Sequence, residues 1–358
     1  MRIQHIDGLR GIAIIWVVLY HSYSRWPQKL DFISATQQIP FFKYGYLGVP
    51  LFFMISGFVI FMTLDKSKSF IHFITKRWFR LFPAMLIATI LVYSSSSFFH
   101  ERPAGDPSII DTVPGLLFIS PELIHYLSGI HIYSLEGAFW SLYVEVVFYF
   151  FIGIVYFKFG RDYCIPALFL ALTLSYISFG LNKIGISTPY ELTTMLGFVH
   201  FSWFIIGCVA YEYMRKNTNK NLYIIFIISV ILSILRTLYI DELSIILFLF
   251  SFSTILLFLS SFFSQKVKHL ISNRFLLAFG FVSYPLYLIH ENALISILVK
   301  LERLDLLENI LIASPIFVIM LLYIVSFIIA KYLEPKLRNV IEKAFTSELL
   351  NSHTEHKQ

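Results

Sequence analysis

The chain has 358 residues, of which 57% are hydrophobic, 18% aromatic and only 14% charged. That is more apolar surface than a soluble core hides, so the composition excludes a water-soluble domain and points to a membrane protein. The 28 Lys and Arg outnumber the 22 Asp and Glu, but they fall in short clusters between apolar runs, a topology signal rather than a nucleic-acid surface.

The first apolar run, R-G-I-A-I-I-W-V-V-L-Y-H, starts on Arg10 and ends on His21. No small-residue cleavage site follows, so residues 1–24 are expected to form a retained first helix rather than a signal peptide. Eleven residues at ~100° each make about three turns plus 20°, which places Arg10 and His21 on one helical face with Asp7 near the same stripe. At ~1.5 Å per residue they lie roughly 16 Å apart along the axis, about half of a ~30 Å hydrocarbon core. Ionisable groups at that depth normally face a cavity or a partner. Taken singly, each has a plainer reading: Asp7 as an N-cap, Arg10 as a surface anchor, His21 as an interfacial residue.

Further runs of about 20 apolar residues fall near 44–64, 80–99, 139–158, 163–180, 195–213, 221–239, 243–263, 275–299 and 311–333. The expectation is an all-α polytopic bundle of about ten helices over residues 1–340, with a short polar tail at 341–358 and no internal repeat. After the second run, K-R-W-F-R-L-F-P brings Arg77 and Arg80 to one face with Lys76 alongside. Anchoring explains each alone, while two guanidiniums together also suit a phosphorylated ligand. The connection from His100 to Ala138 contains P-G-L-L-F-I and L-I-H-Y-L. It reads equally as an interfacial loop and as a lid over an outer cavity.

The fourth run, F-W-S-L-Y-V-E-V-V-F-Y, sets Glu145 between two valines, with Ser141 one turn earlier on the same face. A lone carboxylate there favours function over structure. Cys164 and Cys208 sit in apolar runs without redox or metal spacing and read as core thiols. The ninth run, A-F-G-F-V-S-Y-P-L-Y-L-I-H-E, predicts a kink at Pro285 beside Ser283 and Tyr284. His290 and Glu291 read evenly as site residues and as the approach of the outer surface.

Assigning the loops to alternate sides puts 20 of the 28 Lys and Arg on one side, so both termini are expected in the cytoplasm. The chain has no G-x-x-x-x-G-K-[ST], G-x-S-x-G or H-E-x-x-H, and its 11 histidines show no zinc spacing, so neither a bound cofactor nor a metal is expected.

Taken in order, R-x10-H (Arg10 to His21), G-V-P-L-F-F-M-I-S-G-F-V-I, R-W-F-R-L-F-P, W-S-L-Y-V-E-V-V-F-Y (Trp140 to Tyr149), S-Y-P-L-Y-L-I-H and Y-L-E-P resemble the acyltransferase type 3 family of bacterial membrane proteins nearly end to end. The resemblance implies O-acylation of surface carbohydrates at the inner, cytoplasmic membrane, with an acyl-CoA, chiefly acetyl-CoA, as donor substrate. It makes Arg10 and His21 the core of the active site. Arg77 and Arg80, with Lys76, become donor contacts, and Glu145 a supporting site residue, with Asp7, Trp140, Ser141, Ser283, Tyr284 and His290 around them. Val146 stands where an acidic residue often follows the W-S-L-x-x-E glutamate. The hydrolase-like domain of some relatives has no counterpart, so the membrane module alone is expected.

The implied chemistry needs a base for the sugar hydroxyl, which His21 suits, and a carboxylate such as Glu145 to orient it. His21 as an acyl carrier fits equally well. Ser141, Tyr284 and Arg10 are candidate oxyanion donors. A transporter or flippase of a glycan or lipid is the competing class, since polar groups in mid-membrane also mark a substrate path. Acceptors within the acyl-transfer reading range from O-antigen and exopolysaccharide to a glycolipid, an antibiotic or a peptidoglycan sugar.

Overall fold

The computed structural model describes residues 3–217, 219–303 and 313–355, with side chains described as far as residue 344. The fold is helical, and no strand forms among the described residues. Helices are what such a sequence dictates, because in lipid every backbone N–H and C=O must be satisfied within its own segment.

Each of the ten apolar runs is helical: α1 Gln4–Tyr23, α2 Gly48–Leu64, α3 Phe70–Ser95, α4 Trp140–Phe159, α5 Cys164–Lys183, α6 Phe201–Met214, α7 Lys220–Ile240, α8 Ile245–Phe263, α9 Arg274–Arg303 and α10 Ser314–Ile328. A π-turn at Ile329–Leu333 leads into α11, Glu334–Glu355. Eight helical segments among the described residues are long and apolar enough to cross a membrane. The other two runs are the short α6 and α1, whose apolar residues are interrupted by Asp7, Arg10 and His21. Arg2 and Lys357, counted above for orientation, lie outside the described residues, as do the first positions of the tenth run and the end of the tail.

The centre of the bundle is α1 against α9. Most of the apolar stretch of α9 is buried in the protein and little of α7 is, so α9 forms the core and α7 presents its apolar side outward. Glycine makes the central contact possible. A Cβ added to Gly11 would stand 2.1 Å from the Leu276 carbonyl oxygen and one on Gly280 2.0 Å from that of Asp7, while one on Gly8 would stand 1.8 Å from the carbonyl oxygen of Ile271, in the short helix Gln265–Ile271 that precedes α9. Without a hydrophobic force between helices in lipid, this close van der Waals approach holds them together. The pair α2 and α6 repeats the device, with Gly57 against Phe204 and Gly207 against Met54. Pro285, where a kink is expected, lies inside α9, which runs through it as one 30-residue helix.

At the Arg10 end, Asp65 pairs with Arg161 and Arg215, and Glu212 with Arg161, tying α2 to α6 and to the turn between α4 and α5. Both cysteines are buried and free.

At the other end the 100–138 connection docks onto α9. Arg102 donates to the Leu135 carbonyl at 2.6 Å. Asn292 donates through its side chain to the same carbonyl at 3.1 Å and through its backbone N–H to Glu136 Oε2 at 3.0 Å, and accepts the Ala104 N–H at 3.0 Å.

Candidate active site

Packing α1 on α9 brings His21 and His290 together, with ring centroids 4.7 Å apart and planes at 80°. The Nδ1 atoms lie 2.9 Å from backbone carbonyls, Val17 for His21 and Tyr287 for His290. A carbonyl only accepts, so each neutral ring carries its proton on Nδ1 and leaves Nε2 bare. His290 Nε2 stands 3.2 Å from His21 Nδ1 and shares that proton as an acceptor. His21 Nε2 is thus a free lone pair, and it lies 3.6 Å from Glu291 Oε1. That separation is too long for a hydrogen bond but close enough to stabilise an imidazolium once one forms. Glu291 is held by the Ala138 N–H, 2.6 Å from Oε2. Gly137 packs tightly beside it, since a Cβ there would meet Glu291 Oε2 at 2.9 Å and displace the carboxylate.

His21 and Glu291 line a cavity of about 460 Å³, shared with Arg25, Trp140, His200 and Arg236 among others. Glu136, outside the spans, is buried nearby, and its carboxyl is pushed up to about 8 by desolvation first and by the Glu291 charge second.

Arg10 and Glu145 face a second, tighter cavity of about 80 Å³, lined also by Arg80, Ser56, Tyr149 and Tyr284. The Arg10 guanidinium donates to Asp7 at 3.2 Å. Glu145 Oε1 accepts from the Ser56 hydroxyl at 2.6 Å and from Tyr149 at 2.5 Å. Phe53 and Tyr287 line both cavities and form the partition between them. Tyr287 is fixed there, donating to the Ala138 carbonyl at 2.9 Å and meeting Ser141 Oγ at 2.7 Å.

The anticipated residues therefore divide. Asp7, Arg10, Arg80, Ser141, Glu145, Ser283 and Tyr284 belong to the Arg10 end, where Ser283 donates to the Gly280 carbonyl at 2.9 Å and Tyr284 to the Leu81 carbonyl at 3.0 Å. His21, His290 and Trp140 belong to the other cavity, with the Trp140 ring 5.1 Å from that of His200. Arg77 is half-buried with Nε and Nη1 unpartnered, while Lys76 is exposed.

The carboxylate facing His21 is Glu291, not Glu145. Sequence singled out Glu145 because an acid between two valines is conspicuous, whereas Glu291, eleven residues beyond Gly280, looked like a helix nearing the surface. Arg25, His200 and Tyr287 give no distinguishing signal in the sequence, whereas Arg236, a charge inside an apolar run, offers one through its depth.

Among curated proteins, this chain is similar to a putative acetyltransferase of Acidianus two-tailed virus, 27% identical over 218 residues, 60% of this chain and 59% of that protein. It also resembles the peptidoglycan O-acetyltransferase OatA of Listeria monocytogenes, 28% identical over 41% of this chain and 23% of the relative. The O-acetyl transferase of Shigella phage Sf6 is 28% identical over 47% and 51%. The chain thus spans between about a quarter and three fifths of the length of these relatives. No solved structure matches it. The family described as the acyltransferase domain matches residues 3–333, nearly the whole described helical bundle, and the chain belongs to that family of acyltransferases.

Proposed function

We propose that this enzyme moves an acetyl group from acetyl-CoA, supplied from the cytoplasm, to a hydroxyl of a surface or lipid-linked carbohydrate, with His21 as general base, in the cytoplasmic membrane and with both termini inside. The observation that carries this is the contact of His21: Nδ1 lies 2.9 Å from the Val17 carbonyl, which only accepts, so Nδ1 holds the proton and Nε2 is left as the acceptor facing the cavity beside Glu291. The names of the relatives, acetyltransferases of peptidoglycan among them, favour a sugar acceptor.

The acceptor hydroxyl enters the His21 cavity and gives its proton to Nε2 as its oxygen bonds to the acyl carbon. The carbon–sulfur bond then breaks, and the coenzyme A thiolate recovers the proton from the imidazolium. Glu291 stabilises that imidazolium while it exists. The donor approaches through the Arg10 cavity, its phosphates on Arg77 and Arg80, the first of which has two guanidinium nitrogens without partners. The thioester reaches His21 past Tyr287 and Phe53. Arg10, which lines that first cavity, flanks the path of the donor toward His21.

With labelled acetyl-CoA, His21→Ala should lower ester-linked label on the glycan by about 10²-fold or more at unchanged protein level. Full activity in that variant would remove His21 from the reaction. Charge reversal of Arg77 and Arg80 should raise the KM for the donor; an unaltered coenzyme A affinity would leave them as anchors only.

A further inference from the structure

The His21 cavity holds more positive charge than the transfer chemistry uses. Arg236 lies on α7, inside a stretch long and apolar enough to span a membrane, where a guanidinium persists only by facing a cavity or a partner. It lines the His21 cavity and also a side cavity of about 220 Å³. Its Nε is buried without a hydrogen-bond partner. Arg25, on the segment following α1, reaches the same His21 cavity, with its Cζ 5.1 Å from the Trp26 ring centroid. Among the described residues neither guanidinium forms an ion pair.

The acids of the same cavity are engaged elsewhere. Asp241 accepts the Tyr46 hydroxyl, and Glu291 accepts the Ala138 N–H and faces His21. Arg25 also interacts with the Tyr20 hydroxyl, so the donor left seeking a partner is the Arg236 Nε, with the Arg25 charge beside the same cavity. Guanidiniums form their strongest hydrogen bonds with carboxylates and phosphates, and more so away from bulk water. Trp140 and Trp203 add flat apolar surface to the same wall, the kind that sugar C–H faces cover.

Resting on the acyl-transfer reading above, we propose that the acceptor is an anionic sugar, bearing a carboxylate or a phosphate, gripped by Arg236 and Arg25 so that its hydroxyl is presented to His21. The donor also carries anionic groups. Arg77 and Arg80 already serve the donor at the other end of the passage, which assigns this pair to the acceptor.

Binding of free sugars tests this without requiring turnover. Purified protein in detergent is titrated with glucuronate, glucose 6-phosphate, glucose and coenzyme A while tryptophan fluorescence is followed, since Trp140 and Trp203 line the cavity. At least one charged sugar should give a saturable change that glucose at the same concentrations does not. Arg236→Ala should weaken that binding about tenfold or more, Arg236→Lys should restore part of it, and Arg25→Ala should weaken it independently, all with coenzyme A affinity unchanged. Three results each overturn the proposal: glucose binding as well as the charged sugars or none binding saturably, binding indifferent to both arginines, or Arg236→Ala acting on coenzyme A instead. His21-dependent acetyl transfer, measured separately, tells this failure from failure of the acyl-transfer reading, because either can survive without the other.

Discussion

A histidine becomes a directed base through the contact made by its other nitrogen. In His21 that contact is the Val17 carbonyl one turn below, so the helix itself sets the tautomer and aims Nε2 outward into the cavity. His290 shares the same proton, and Glu291 stands 3.6 Å from Nε2, where under the proposed function it would face the imidazolium. Glu291→Gln keeps an acceptor for the Ala138 N–H but removes that charge. We expect it to lower kcat by about 10- to 100-fold, in the manner of a carboxylate that steadies a catalytic imidazolium, with little change in donor KM; steady-state kinetics with both substrates varied checks it, and a pure KM effect would make Glu291 a binding residue instead. The R-x10-H spacing made His21 and Arg10 legible in one helix. Their partners were not, because Glu291 and His290 reach His21 only through the pairing of α1 with α9, and nothing within α9 marks that face as the one turned toward α1.

Helix positions were legible at nearly every run, because a bilayer demands long apolar segments and the pattern carries them. Which helices touch was decided by small residues. Gly11 and Gly280 allow backbone-to-backbone approach between α1 and α9, and that approach is what sets His21 against His290. Gly11→Val should drive a side chain into the Leu276 carbonyl, costing about 1–3 kcal/mol as overpacking, and should lower the melting temperature in detergent together with activity. An unchanged melting temperature would mean that the helices separate freely at that point. The charge clusters that signalled orientation also prove to be less free than a count suggests. Arg161 and Arg215 are paired with Asp65 and Glu212, and Arg338 on α11 donates to the Phe79 carbonyl of α3 at 3.0 Å, so part of the basic surface at the Arg10 end fastens helices to one another.

Across the whole molecule, the 100–138 connection docks onto α9 next to His290 and Glu291. Glu136 is central to that docking, and burial raises its carboxyl to about 8 from an ordinary value near 4.5. The folded state therefore holds this proton more tightly than the unfolded chain does. Its stabilising effect is complete below about pH 4.5 and is lost as pH rises through about 8. The melting temperature in detergent should accordingly fall between pH 6 and pH 9, and Glu136→Gln should flatten that fall; an equal decline in the variant would place the titration elsewhere. The sequence by itself determined that the chain is a helical membrane protein of the acyltransferase family, since apolar run length and ordered motifs are properties of the chain read in one dimension. It also determined that Arg10 and His21 share a face, since that follows from helical pitch alone. Only the tertiary structure decided that Arg10 and His21 open into separate cavities, that Glu291 rather than Glu145 stands by the histidine, and that Arg25 and Arg236 meet there. Those outcomes depend on which helix faces approach each other, and that is settled by side-chain volume and close packing between segments far apart in the chain.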